Sequence, residues 1–191
     1  MVEDVGEAFD NRDIYTKGTW MLHSLRNYIG EEAFWAGTRH LLYGTAEPWA
    51  LAYPITPRYR STEDFIRIMS EEAGMDIAWL VETYLYEAGM PELEAQRDGN
   101  RLELRWKVPG DRPFPMPVTV SINGEEQRVA VSEEPTELTL PGEGASVILD
   151  PHSEVLRVLP LIGDCSEQTD VQIQHNIDRY TRMAGEYGWR R

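Results

Sequence analysis

Metal-assisted chemistry needs histidines and carboxylates at spacings that bring them onto one face of a helical turn, and these residues are scattered in this sequence. The four histidines, His23, His40, His152 and His175, include no two at a spacing that one turn of helix would bring together, and the pattern H-E-x-x-H is absent. His23 and His40 fall on different predicted helices and could meet only through the fold; ordinary packing or surface histidines are the competing reading. Neighbouring carboxylates such as Glu31-Glu32 and Glu71-Glu72 are frequent, but with 33 acidic residues they arise by chance. They read as solvated faces and helix first turns, not as a general acid/base couple. Nucleophile elbows, phosphate loops and dinucleotide fingerprints are missing. Cys165 is the lone cysteine and has no cationic neighbour in sequence, so it reads as an inert thiol. It also rules out an internal disulfide and a cysteine-based zinc cluster. One residue stands out. Tyr15, in "IYTKGTW", puts a phenol about one turn before a long apolar helix pattern, where a surface turn could use almost any residue. On periodicity alone it packs the entry of that helix.

The elements that would have to position these residues fall into two regions of different period. In the first, Trp20, Met21, Leu22, Leu25, Tyr28 and Ile29 follow the three-to-four spacing of a buried helix face, closed by Gly30. "EEAFWAGTRHLLYG" is a second helix with two glutamates at its positive end and Gly44 past its last turn. "TAEPWALAYPITPRYR" holds three prolines and reads as a loop. "STEDFIRIMSEEAG" is a third helix, capped by Ser61 or Thr62 and closed by Gly74. Asp76 is expected to cap a fourth, "IAWLVETYLYEAG", which Gly89 and Pro91 stop. Helices this short need tertiary partners.

After Pro91 the period changes to two. "LEAQRDGNRLELRWKV" and "VTVSINGEEQRVAV" are hairpins around Asp-Gly-Asn and Asn123-Gly124; "TELTL", "ASVILD" and "VLRVLP" add strands. Six or seven short strands indicate a small antiparallel sandwich or barrel. The tail from Ser166 reads as one more helix. The fold class is therefore α+β, with residues 1–90 helical, 91–162 a β-sandwich and 163–191 a C-terminal helix or tail.

A chain of 191 residues with 41% hydrophobic and 10% aromatic content can bury a sizeable core. A formal net charge of -15 argues against nucleic acid and anionic membrane surfaces as partners. No run of about 18 apolar residues predicts a membrane helix, and the acidic "MVEDVGEAFDNRD" does not read as a signal peptide. The abrupt start leads us to expect a piece of a longer protein, and any targeting signal would precede it.

Three stretches carry a family resemblance. "YTKGTWMLHSLRNYIGEEAFWAGTRHLLY" resembles the segment downstream of the zinc site in the aminopeptidase N / leukotriene hydrolase family of zinc metallopeptidases, the gluzincins. There Y-x-K-G starts a helix, followed by an apolar stretch, "LR", a glycine and "E-x-F". "STEDFIRIMSEEAGMDIAWLVETYLYEAGMPEL" is similar to the family's T-x-x-D-F, G-x-D-L and W-L-x-x-x-G-x-P run, and "VILDPHSEVLRVL" to the "LDP" turn of its small β domain. The resemblance covers residues 13 to about 160. It implies that the helical region is the second half of a thermolysin-like catalytic domain, in an enzyme that removes N-terminal residues from peptides.

Carried over residue by residue, the family's tyrosine before x-K-G is Tyr15. The implied role is to donate a hydrogen bond to the oxyanion of the tetrahedral intermediate, which a phenol can do because it stays protonated at neutral pH. Lys17 and Gly18 are expected to be structural, the glycine through a close approach at the helix start. Arg58 and Arg60, in the loop before the third helix, are candidates to face a peptide or its carboxylate; solvated loop arginines are the alternative. Where the family often has a second tyrosine, five residues before the first, this chain has Asp10. The family's zinc histidines, zinc glutamate, general-base glutamate and substrate-gripping glutamates all lie upstream of the tyrosine and are missing from this sequence. The expectation is zinc in a parent enzyme, none bound by this chain, and no activity by this chain alone. Its expected partners are peptide substrates of the parent, the upstream zinc-binding half, and further copies of itself through an exposed apolar face. A non-catalytic, partner-binding module on the same scaffold is the alternative.

Overall fold

The computed structural model describes residues 13–51, 58–110 and 112–158. The expected C-terminal helix, with His175 and Cys165, lies outside the described residues, as does Asp10.

Four helices come first: α1 (Asp13–Ile29), α2 (Glu31–Tyr43), α3 (Thr62–Ala73) and α4 (Ala78–Tyr86), with a 3₁₀ turn at Pro48–Ala50. Their ends follow local chemistry. Gly44 and Gly74 close α2 and α3 in the left-handed conformation that glycine adopts without a Cβ penalty. Ser61 caps α3 in a reciprocal box: its hydroxyl accepts from the Asp64 amide and the Asp64 carboxylate accepts from the Ser61 amide, both at 3.2 Å. Two boundaries differ from the sequence reading. Helix α1 spans Asp13–Ile29, so Tyr15 lies within it instead of ahead of it. Helix α4 stops at Tyr86, before Gly89, because Glu87 is already extended (φ -98°, ψ 138°) and turns its carboxylate to Arg112. Asp76 does accept the Ala78 amide at 2.9 Å, although Ile77 occupies the cap position.

The second region forms two small antiparallel sheets. β1 (Glu92–Asp98), β2 (Arg101–Lys107) and β5 (Thr136–Thr139) make one, in the order β1-β2-β5. β3 (Val118–Ile122), β4 (Glu125–Val129) and β6 (Val147–Leu149) make the other, in the order β4-β3-β6. The β3–β4 hairpin turns on Asn123 and Gly124, both at positive φ, as a two-residue turn of this type requires. Leu102, Leu104 and Trp106 point inward from β2 and Val118 and Val120 from β3. Over residues 155–158, the described part of "VLRVLP", the expected seventh strand is not formed: Val158 meets Glu92 of β1 in an isolated parallel bridge. The cause is that the backbone of Leu156 is bonded to two helix side chains and cannot join a ladder.

Helices and sheets share one core. Phe114, fully buried between β2 and β3, meets Trp79 and Tyr84 of α4 and Trp106 of β2 edge to face, at centroid distances of 5.2, 5.9 and 5.2 Å. Trp79 in turn meets Tyr28 of α1 at 5.2 Å. Aromatic pairs of this geometry add to the area they bury, and in this chain they join the region of period 3.6 to the region of period two. Among the described residues, no helix is long and apolar enough to cross a membrane.

Candidate functional site

Tyr15 is held out of the core. It lies in α1 and is 62% exposed. Its carbonyl accepts the Thr19 hydroxyl at 2.6 Å, a local back-bond of the first turns. Residues three and seven further along a helix share one face. For Tyr15 these are Gly18 and Leu22, and both line a shallow groove of about 330 Å³. Leu41 of α2, Phe65 of α3 and Leu85 of α4 also line it, and Arg60 stands on its polar border. The groove is therefore an apolar trough between four helices, and the face of α1 that carries Tyr15 runs along it.

The glycine of the motif corrects the expectation of a close approach. Among the described residues, a Cβ placed on Gly18 would meet nothing within 4 Å. Its position inside a helix costs stability relative to alanine, and no contact within the described residues explains it.

Arg58 and Arg60 have a physical account of their own. The last carbonyls of a helix lack intrahelical partners and carry partial negative charge. Arg60 donates its Nε to the Leu41 carbonyl at 3.1 Å, and the Arg58 guanidinium lies over Gly44, where a Cβ would come within 2.5 Å of it. Both cations thus cover the C-terminal end of α2. The structure brings Arg60 to the same groove as Gly18 and leaves Arg58 on the cap.

The described histidines, His23, His40 and His152, each have a partner of their own. His23 of α1 lies beside Asn27, 3.1 Å from its amide nitrogen, and stands edge-on to Trp20. His40 of α2 bonds Glu72 of α3 at 2.9 Å and ties those helices together. His152 bonds Glu126 across the second sheet. The neighbouring carboxylates are likewise engaged: Glu31 by Trp35 at 3.3 Å and Glu71 by Arg67 at 3.1 Å. Among the described residues, no three His, Cys, Asp or Glu side chains gather where they could hold a metal ion. The residues of this chain that the structure describes therefore do not fit a zinc site.

Reading by period missed a polar knot at the joint of the two regions. Ser24 and Tyr84 are fully buried, and both bond the backbone of Leu156. Burial pushes the Tyr84 phenol well above its ordinary value. The sequence signal was slight: a serine and a tyrosine falling on helix faces that are otherwise apolar.

No family model matches the chain. Among curated proteins, the aminopeptidase N of Lactococcus lactis subsp. lactis is 28% identical over 96 residues, which is 49% of this chain and 10% of that protein. The probable M1 family aminopeptidase 1 of Encephalitozoon cuniculi is 29% identical over 134 residues, 65% of this chain and 14% of its own length. The tricorn protease-interacting factor F2 of Thermoplasma volcanium is 26% identical over 128 residues, 62% of this chain and 14% of its own. M1 family aminopeptidases are thus among the relatives of part of this chain, and the matched region is a small share of each, 10% to 18% of their lengths. Among solved structures, the Legionella pneumophila aminopeptidase A in complex with aspartic acid aligns with 72% of this chain and 16% of its own, at 18% identity and a TM-score of 0.44.

Proposed function

We propose that this chain is the C-terminal part of a zinc-dependent aminopeptidase of the gluzincin type. Its helices are the second half of a thermolysin-like catalytic domain, and its two sheets are the faces of a small β-sandwich that braces them. Peptides are the substrate of the whole enzyme, and the zinc is held by residues outside the described ones. Bound zinc supplies a hydroxide nucleophile near neutral pH by lowering the pKa of water. This chain supplies a donor and a wall. The Tyr15 phenol donates a hydrogen bond to the oxyanion that forms on the peptide carbonyl, and the apolar groove beside it receives the zinc-bearing half. Arg60, and with it Arg58, borders the path of the peptide.

One observation carries this reading: the tyrosine of Y-x-K-G lies on α1, 62% exposed, on the helix face that continues into an open apolar groove. Two others support it. Gly18 leaves room that nothing among the described residues fills, and aminopeptidases recur among the relatives.

The test is hydrolysis of aminoacyl chromogenic substrates by the chain alone and by an enzyme in which it is joined to a zinc-bearing half. The chain alone should show no zinc-dependent turnover. In the joined enzyme, Tyr15→Phe should lower kcat by about 10² to 10³ while KM changes little, the loss typical of one oxyanion donor. Equal rates for the two forms would remove Tyr15 from the reaction, and zinc-dependent turnover by the chain alone would overturn the fragment reading. A non-catalytic, partner-binding module is the second reading. It is favoured by exposed apolar side chains that do not line the groove, Trp35, Leu42 and Trp49 among them.

A further inference from the structure

We propose that the segment from Asp150 to Val158 is a strap that sets the position of α1, and that Ser24 and Tyr84 are positioning residues acting through it on Tyr15. Where Tyr15 is concerned, this rests on the function proposed above; the strap itself does not.

The strap is rooted in the sheets at both ends. The Asp150 amide donates to the Thr119 carbonyl of β3 at 2.8 Å, and the Val158 amide donates to the Pro91 carbonyl, ahead of β1, at 2.8 Å. Between those roots it holds its own shape. Asp150, buried and at positive φ, accepts the Glu154 amide at 2.6 Å and the Val155 amide at 3.4 Å, and Arg157 lies 3.5 Å from the same carboxylate. The Glu154 carboxylate accepts the Thr119 hydroxyl at 2.6 Å. At its middle the strap gives both peptide groups of one residue to the helices. The Leu156 amide donates to the Ser24 hydroxyl oxygen of α1 at 2.7 Å, and the Leu156 carbonyl accepts the Tyr84 hydroxyl of α4 at 2.5 Å. The Ser24 hydroxyl donates its own proton to the Trp20 carbonyl, one turn nearer Tyr15, at 2.9 Å. A further tie comes from β4, where Arg128 donates to the Asn27 carbonyl at 2.9 Å.

The attachment is one-sided. Ser24 and Asn27 tie the C-terminal half of α1 to the strap and to β4, whereas Tyr15 and Trp20 of the N-terminal half are exposed. Ser24 and Tyr15 are separated by about 13 Å of helix at 1.5 Å per residue, and a helix transmits a shift along that length as a rigid rod. Ser24 and Tyr84 are fully buried and Leu156 is half-buried, so removing either hydroxyl leaves a Leu156 backbone group without its partner.

The experiment is amide hydrogen exchange on this chain with Tyr84→Phe and Ser24→Ala, and with Ile68→Val in α3 as a measure of general destabilisation. The strap predicts that the first two variants speed exchange along α1 by about tenfold or more relative to α3, while Ile68→Val moves the best-protected amides of both helices together. Uniform change in all three variants overturns the strap. In the joined enzyme, Tyr84→Phe should lower kcat when residue 15 is tyrosine and add nothing in the Tyr15→Phe background. Additive losses overturn the action through Tyr15 even where exchange has shown the strap. A joined enzyme in which Tyr15→Phe itself has no effect sinks the proposed function and, with it, the strap's action on Tyr15, but leaves the exchange result standing.

Discussion

Along β2 the outward side chains are Arg101, Glu103, Arg105 and Lys107, and three of them pair across strands: Arg101 with Glu137, Arg105 with Glu94 at 2.6 Å and Lys107 with Glu92 at 3.0 Å. The helices carry ion pairs as well, Arg67 with Asp64 at 3.2 Å and with Glu71 at 3.1 Å among them, but they also carry most of the exposed apolar surface. Of the twelve exposed large hydrophobic residues among those described, eleven precede residue 90, and Val158 is the exception. Scattered apolar residues on a surface are ordinary, and of these eleven only Leu22 and Leu85 line the apolar groove between the helices. The sheets are finished in solvent. The helices bury Leu25, Ile68, Leu80 and Val81 fully on the inside and carry exposed apolar side chains outside.

The sharpest test of that difference is the part that should already be complete. Trp106 is buried at the meeting of the two regions, its ring nitrogen donates to the Met116 carbonyl at 2.8 Å, and its backbone amide donates to the Ser132 carbonyl at 2.7 Å. Trp106→Ala removes a large buried ring and leaves the Met116 carbonyl without its partner. It should cost about 3 to 5 kcal/mol in urea unfolding, and a cost below about 1 kcal/mol would show that the sheets do not own a tight core.

The joint offers a second, smaller handle through pH. The Tyr84 phenol is buried, so its pKa in the folded chain lies above the ordinary value of 10.0, which it regains on unfolding. Below pH 10 both states keep the proton and stability does not depend on this group. Above it the unfolded chain ionises first, so stability falls as pH rises, by about 1.4 kcal/mol per pH unit from this one residue. Tyr84→Phe should start less stable and lose less in an alkaline series. Parallel curves for the two proteins would mean that the hydroxyl of Tyr84 is in reach of water.

Helix ends, hairpins and the α+β class were legible because they follow from near neighbours. Ser61 and Asp64 lie three residues apart, Gly74 ends a periodic run, and Asn123-Gly124 sits between two alternating segments. What could not be read is long-range. Nothing in "VLRVLP" separates a strand from a strap, since its alternation suits both. The outcome was decided by a serine 132 residues and a tyrosine 72 residues away. The site divides in the same way. Tyr15 was found through the order of three motifs, but its place on the groove face became visible only when α1 acquired neighbours. No described residue makes the close approach expected at Gly18, and a missing Cβ has two opposite uses: to let backbone in, or to leave space.

Gly18 therefore tells a surface that is merely open from one that awaits a cover. In a helix interior with open space around it, Gly18→Ala should stabilise the isolated chain by about 0.8 to 1 kcal/mol. In the joined enzyme the same methyl would fill room that the other half is proposed to use, so the gain should shrink or reverse. A gain of equal size in both would mean that nothing approaches Gly18 in either.

The smallest expected change in stability is also the most informative about the unfinished face. Leu22, 36% exposed, and Leu85, 49% exposed, line the groove from α1 and α4. Exchanging each for lysine removes little buried surface, so each variant should unfold within about 0.5 kcal/mol of the parent chain. If the groove is a face awaiting a cover, the parent should bind an apolar dye and associate at high concentration, and Leu22→Lys with Leu85→Lys should abolish both at nearly unchanged stability. A monomeric, dye-silent parent would show that the helical surface is as finished as that of the sheets. A loss of about 2 kcal/mol or more in the double variant would say the same from the other side. In either case the groove would be part of this chain's own core and Tyr15 would be left without a second wall.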